Sequence, residues 1–257
     1  MASFDRAQWQ VQSSRLACRM TQEVPRFGAA TFETVGGGQQ RFVLRAKRNP
    51  LAPGAAELSA AAPIWNPSRQ PVEIGDVEVA EGKETLQLDA EPTRQLLDSL
   101  RQGLVPTFAR PLRDDAQKTV KVALSPVNFR TAYHQYNDCV AHLWPVTFDD
   151  IKNTVIEFAH EQSELSADAQ KKIDFLLRYI ALDSSIKRFE IYGVSSDNPR
   201  RLENIELAKQ RTQQVSEYLM SRGIDAKAIE SSYHGERGSS GKYRSVSIRL
   251  IRSIAAH

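Results

Sequence analysis

In the first half of the chain, apolar residues alternate with polar ones over short runs. Gln40-Arg41-Phe42-Val43-Leu44-Arg45-Ala46 is strand-like. Pro71-Val72-Glu73-Ile74, Val77-Glu78-Val79, Leu86-Gln87-Leu88 and Val120-Lys121-Val122-Ala123-Leu124 all alternate. A period of two buries one face and wets the other, which is the habit of antiparallel sheet. The stretch Ala52 to Ala62 is rich in Ala, Gly and Ser, has Pro53 and Pro63 near its ends, and reads as loop. A helix is expected over Pro92 to Gln102, with Leu96, Leu97 and Leu100 on one side and Gly103 as a left-handed stop. A second is expected over Asn128 to Leu143, capped by Asn128. Its apolar stripe is Phe129, Ala132, Tyr133, Tyr136, Cys139, Val140 and Leu143. Cys139 thus faces the core, where a strand carrying Cys18 could meet it. Trp144-Pro145 ends the helix, so the domain boundary is set there, giving residues 1–145 and 146–257.

Beyond residue 145 the rhythm changes. Thr154 to Ala159 is a strand, and Ser166 caps a helix with stripe Ala169, Ile173, Leu176, Leu177 and Ile180. Phe189 to Tyr192 is the next strand. A long helix over 203–222 follows, with Ala208, Thr212, Val215 and Leu219 on its apolar side. Gly223 then Ile224 match the glycine and apolar residue of a Schellman ending. Ile229 to Tyr233 and Ser245 to Ile251 complete the strands. The fold class expected is therefore α+β: a β-rich N-terminal domain followed by a two-layer α/β sandwich, a mixed sheet with two helices on one face.

Composition narrows the class. The chain has 257 residues, 41% of them hydrophobic and 25% charged, as in ordinary globular proteins. No apolar run approaches the ~18 residues of a membrane span, so no transmembrane segment is expected. The formal charge is only +3 and is spread over both halves. A nucleic-acid or membrane-surface role gains no electrostatic support. Met1 to Arg6 has neither a basic nor an apolar leader region. The chain is either cytoplasmic or a mature form whose leader is gone. Cys18 and Cys139 are an even pair in a chain too large to need a disulfide framework. They read either as two buried thiols or as one bridge closing a loop of about 120 residues, which would add ~5 kcal/mol and require an oxidising compartment.

Catalytic signatures fail one by one. His134, His142, His160, His234 and His257 show no metal-ligand spacing; His160-Glu161 begins a zinc-protease helix motif, but Glu164 stands where the second histidine belongs. Gly193-Val194-Ser195-Ser196 lacks the closing glycine of a nucleophile elbow. Gly235 to Lys242 has a spacer one residue too long for a phosphate loop, and Tyr243 and a strand follow where Ser/Thr and a helix must. No metal, cofactor or catalytic set is expected.

One region is specific. Residues Ile191 to Ile248 resemble the OmpA-like peptidoglycan-binding domain. The family helix reads Asn-x-x-Leu-Ser-x-x-Arg-Ala-x-x-Val-x-x-Tyr-Leu. Here Asn204, Leu207, Arg211, Val215 and Tyr218-Leu219 stand in that register. The family's Gly-x-Thr-Asp is Gly193-Val194-Ser195-Ser196, with Asp197 one residue later, and its terminal Asn-Arg-Arg-Val is Tyr243-Arg244-Ser245-Val246. The resemblance implies a pocket for the zwitterionic end of a diaminopimelate stem residue, made by Arg211, Asp197, Ser196, Asn204 and Arg244. Arg211 would pair with the carboxylate through its planar fork, and an acidic side chain opposite would take the ammonium. Ser196 carries no charge. Either Asp197 substitutes for it, or the site has lost a bond worth ~1.5–3 kcal/mol, about 10–100-fold in affinity.

The N-terminal half also carries a resemblance. Trp9, Leu16-Ala17-Cys18, Val24 to Ala30 with Phe32, Val122 to Phe129, Tyr133, Tyr136 and Asp138-Cys139 look like the MotY family of periplasmic flagellar-motor proteins. That resemblance implies a Cys18–Cys139 disulfide, a periplasmic mature chain and no enzymatic activity. It also implies an N-terminal domain that docks on the basal body with a MotX-like protein, forming a ring that recruits stator units. The C-terminal domain would hold that ring to peptidoglycan. The alternatives are an OmpA-like anchor of another trans-envelope assembly and a cell-wall hydrolase.

Overall fold

The computed structural model describes residues 8–63, 67, 70–236 and 243–253. Expectations for Met1 to Arg6, for Arg237 to Lys242 and for His257 lie outside them. The chain divides into two compact units, Met1–Pro145 and Val146–His257.

The first unit holds two antiparallel sheets. One has the order β1 (Trp9–Ser13), β2 (Ala17–Val24), β3 (Gly28–Val35), β4 (Gln40–Ala46) and β7 (Glu84–Leu88). The other has the order β6 (Val72–Val79), β5 (Gly54–Ala61), β8 (Val105–Leu112) and β9 (Asp115–Ala123). Helices α1 (Ala90–Arg101) and α2 (Phe129–Ala141) supply further apolar faces to the same core. Phe42 stacks on Phe108 at 5.7 Å between ring centres, joining β4 to β8 across the sheets, and Trp9 meets the α2 residue Phe129 edge-on at 5.3 Å. Polar groups inside are paired: the Trp9 indole donates to Ser125 O at 2.9 Å, and the hydroxyls of Thr34 and Tyr136 bond at 2.7 Å.

Two local expectations are corrected. The supposed loop Ala52 to Ala62 contains β5, which lies inside its sheet between β6 and β8. Ala56, Leu58 and Ala60 are buried on its core face. Ala and Gly are poor strand formers, but pairing on both edges outweighs that weak preference. Asn128 does not cap α2 with its side chain; it turns the chain at φ 59°.

Cys18 on β2 and Cys139 on α2 form a disulfide, with their Cα atoms 6.0 Å apart and 121 positions between them in sequence. The free-thiol alternative is thereby set aside.

The second unit has one mixed sheet of order β10 (Asn153–Glu157), β13 (Arg244–Arg252), β11 (Ile186–Ser195) and β12 (Ile229–Gly235). Only the β11–β12 pairing is parallel. Ile156, Val246, Ile248, Leu250, Phe189 and Ile191 bury one face, whereas Val155 and Tyr192 are exposed on the other. A short helix, α3 (Phe148–Ile151), is closed by a capping box between Thr147 and Asp150. Helix α4 (Ala167–Leu182) starts where the Ser166 hydroxyl accepts from Ala169 N at 3.1 Å. Its buried side chains are Ala169, Ile173, Leu176 and Tyr179, so the tyrosine stands in for Leu177 and Ile180 in the expected stripe. Helix α5 (Arg201–Ser221) ends as its sequence demands: Gly223 takes φ 97°, and Ile224 N donates back to Leu219 O at 3.1 Å.

Candidate functional site

Glycines bring the elements of the site together. A Cβ at Gly193 on β11 would lie 2.1 Å from Thr212 Oγ1 of α5, and one at Gly235 would lie 2.4 Å from Ile205 N. Only glycine lets α5 lie this close to the ends of β11 and β12. Asn204, fully buried, then ties the loop after β11 to the end of β12. Its amide donates to Asn198 O at 2.7 Å and Glu236 O at 2.8 Å, and its carbonyl accepts from Asn198 N at 2.8 Å.

Arg211 lies two turns further along α5. It is completely buried, so it is not free to meet a ligand carboxylate as the resemblance implies. Its donors are committed. Nε donates to Gln162 O at 2.7 Å and Nη2 to Ala159 O at 2.9 Å, both in the loop between β10 and α4. Nη1 lies 2.7 Å from Asp197 Oδ2, and the guanidinium is 5.3 Å from the Phe158 ring centre. Burial, together with the charge of Arg244, draws the Arg211 pKa below its ordinary value, and Asp197 opposes that shift. A guanidinium still stays charged.

Asp197 therefore takes the position opposite Arg211 that Ser196 occupies in the sequence register. Ser196 does other work: its backbone N donates to Tyr243 O at 2.9 Å, and its hydroxyl accepts from Tyr243 N at 3.0 Å, fastening the loop to the start of β13. Ser195 Oγ donates to Asp197 Oδ2 at 3.1 Å. The second carboxylate oxygen, Asp197 Oδ1, is buried and has no hydrogen-bond partner among the described residues. Arg244 Nε stands 3.9 Å from it, on a side chain that is 39% exposed. An orphan acceptor inside a protein is costly, about 1–3 kcal/mol or more for a charged group, and calls for a partner.

All five residues singled out in the sequence thus lie in one neighbourhood. The groups reasoning missed are the Ala159 and Gln162 carbonyls. Backbone acceptors leave no trace in residue identity, and only the loop fold reveals them. Among the described residues no cluster of His, Cys, Asp or Glu could hold a metal ion, and no helix is long and apolar enough to cross a membrane.

Comparison with known proteins follows these boundaries. Residues 1–145 match the MotY N-terminal domain, and residues 157–246 match the OmpA family. The sodium-type flagellar protein MotY of Vibrio parahaemolyticus is 22% identical over 240 residues, covering 92% of this chain and 82% of the relative. Among solved structures, the OmpA-like domain of FopA1 from Francisella tularensis shares 20% identity over 40% of this chain and 75% of its own, with a TM-score of 0.33. The peptidoglycan-associated lipoprotein of Burkholderia pseudomallei shares 14% identity, covering 38% and 89%, with a TM-score of 0.34. The periplasmic domain of Helicobacter pylori MotB (residues 97–256) shares 18%, covering 40% and 81%, with a TM-score of 0.33. With more than half of its length matched by the MotY N-terminal domain and an OmpA-family region after it, the chain belongs to the MotY family of flagellar proteins.

Proposed function

We propose that the protein is a non-enzymatic periplasmic scaffold of the flagellar motor. Its N-terminal domain, residues 1–145, docks on the basal body with a MotX-like partner and helps recruit stator units. Its C-terminal domain, residues 146–257, holds the assembly to peptidoglycan through the diaminopimelate stem. Family membership supports the first half of this reading. The observation that carries the second is the orphan Asp197 Oδ1 beside the half-exposed Arg244. An acceptor for an ammonium and a cation for a carboxylate stand 3.9 Å apart, which suits a zwitterionic amino-acid end.

The roles within the pocket shift accordingly. Arg244 meets the ligand carboxylate and Asp197 Oδ1 its ammonium. Arg211 is a positioning residue that holds Asp197 by the other oxygen. Ser196 and Asn204 fix the loop that carries Asp197. A weak individual site suffices when many copies sit in one ring, because the effective concentration of neighbouring sites multiplies the hold.

Sedimentation with purified diaminopimelate-containing sacculi tests this. The wild type should pellet, free diaminopimelate should release it, and Arg244→Ala should weaken pelleting about tenfold with an unchanged melting temperature. A wild type that stays in the supernatant refutes the wall-binding half. For the motor half, a deletion strain should lose spreading in soft agar, and normal swimming would refute it.

A further inference from the structure

A second polar cleft lies in the first unit, apart from the Asp197 site. It has a volume of about 590 Å³ and runs between α1, which contributes Asp98 and Arg101 with Gln102 just beyond, and α2, which contributes Arg130, Tyr133, His134 and Asn137. Its single carboxylate, Asp98, is already neutralised by Arg101 at 3.0 Å. The Arg101 guanidinium in turn lies 5.5 Å from the centre of the Tyr133 ring, which fixes its position.

The other donors are unspent. The side chains of Gln102, Arg130, His134 and Asn137 make no hydrogen bond or ion pair among the described residues. Arg130 also stands where folding alone disfavours it. It is in the first turn of α2, at the positive end of the helix dipole, and that turn contains no acidic residue. The walls are firm: α2 is bonded to β2 through Cys139, and α1 is seated by buried Leu96, Leu97 and Leu100. Cations held on rigid elements form a preorganised receptor for anions.

We propose that this cleft binds an acidic segment of a partner protein, with side-chain carboxylates on Arg130 and on the Arg101 nitrogens that the Nη1 bond to Asp98 leaves open, and the segment's backbone on Gln102 and Asn137. Nucleic acid fits less well. The chain's formal charge of +3 gives no extended field to follow a phosphate backbone, and the Tyr133 ring face is occupied by Arg101.

The test uses the full chain and a fluorescein-labelled hexaglutamate peptide, followed by fluorescence anisotropy at low ionic strength. Saturable binding is expected, with none for hexaglutamine. Arg130→Glu should weaken it at least about tenfold, and the double variant Arg101→Glu/Arg130→Glu should abolish it. Unchanged melting temperatures would show that the variants fold. Absence of saturable binding, or equal binding by Arg130→Glu, overturns the proposal. So does displacement of the peptide by inorganic phosphate beyond that by sodium chloride at equal ionic strength, which would mark a free-phosphate site. Arg130-dependent pelleting with phosphatidylglycerol vesicles would overturn it in favour of a membrane surface.

Discussion

Each unit contains a carboxylate flanked by two arginines, and the two arrangements differ in the burial of the cations and in the pairing of the carboxylate oxygens. Glu33 on β3 lies between Arg19 on β2 and Arg41 on β4, in one cross-strand row. Each of its oxygens is bonded, one to Arg19 Nε and the other to Arg41 Nε at 2.8 Å, and both cations are about half exposed. Asp197 has one oxygen on a fully buried cation and the other without a hydrogen-bond partner among the described residues, with Arg244 Nε 3.9 Å away. The first cluster is complete within the fold. The second leaves one buried acceptor open. Buried charges are tolerated when paired, so an acceptor left open costs stability that the first cluster keeps.

The largest effect should come from breaking the buried pair. Arg211→Ala leaves Asp197 as a buried, unpaired charge and should destabilise the second unit by about 3–5 kcal/mol in chemical denaturation. Replacing both partners, Asp197→Leu with Arg211→Met, should cost less than Arg211→Ala alone. A double variant worse than the single one would erase the distinction between the clusters. Next in size is the first unit's covalent tie. Cys18→Ser should cost about 2–5 kcal/mol, and the native unreduced protein should show no thiol to a labelling reagent. If the loss falls below 1 kcal/mol, the first unit relies on its core rather than on the bridge.

The smallest effect should come from the surface row. Glu33→Gln should cost about 1 kcal/mol, because its cations stay solvated. Its pH dependence is the sharper test. Burial raises the Glu33 pKa, but the hydrogen bonds and charges of Arg41 and Arg19 outweigh this and hold it below the ordinary value. The unfolded chain therefore takes up the proton first as the medium is acidified. The stabilisation is present above the ordinary glutamate pKa and is lost as pH falls through the lowered native one. Glu33→Gln should flatten the acid limb of the first unit's stability curve. Asp183, where burial is likewise outweighed by Ser185 and Arg252, should do the same for the second.

How far the sequence announced all this differs between the units. In the second, the four strands and the two long helices follow from the pattern, and the C-terminal end of α5 follows from Gly223 and Ile224, whereas the single turn of α3 has no period to announce it. In the first, β5 escaped notice because its core face is built from Ala56 and Ala60, which carry little hydrophobic signal. β8 is interrupted by Pro106 and Pro111, and β3 begins with Gly28-Ala29-Ala30. Their strand character comes from partners, not from their own residues. For the site, residue type named the members but not the geometry. Nothing in an arginine at a helix position says whether it faces solvent or the carbonyls of a loop such as that of Ala159 and Gln162.

The link between positions 18 and 139 also sets an order of events. Its two cysteines come near the two ends of the first unit's sequence, so no early fragment of the chain can make it. Nearly the whole N-terminal domain must be delivered into an oxidant-bearing space before the staple closes. A chain held back where thiols stay reduced keeps β2 and α2 unjoined, and α2 is one wall of the cationic cleft. Completion of delivery and readiness of that wall are thereby one chemical event.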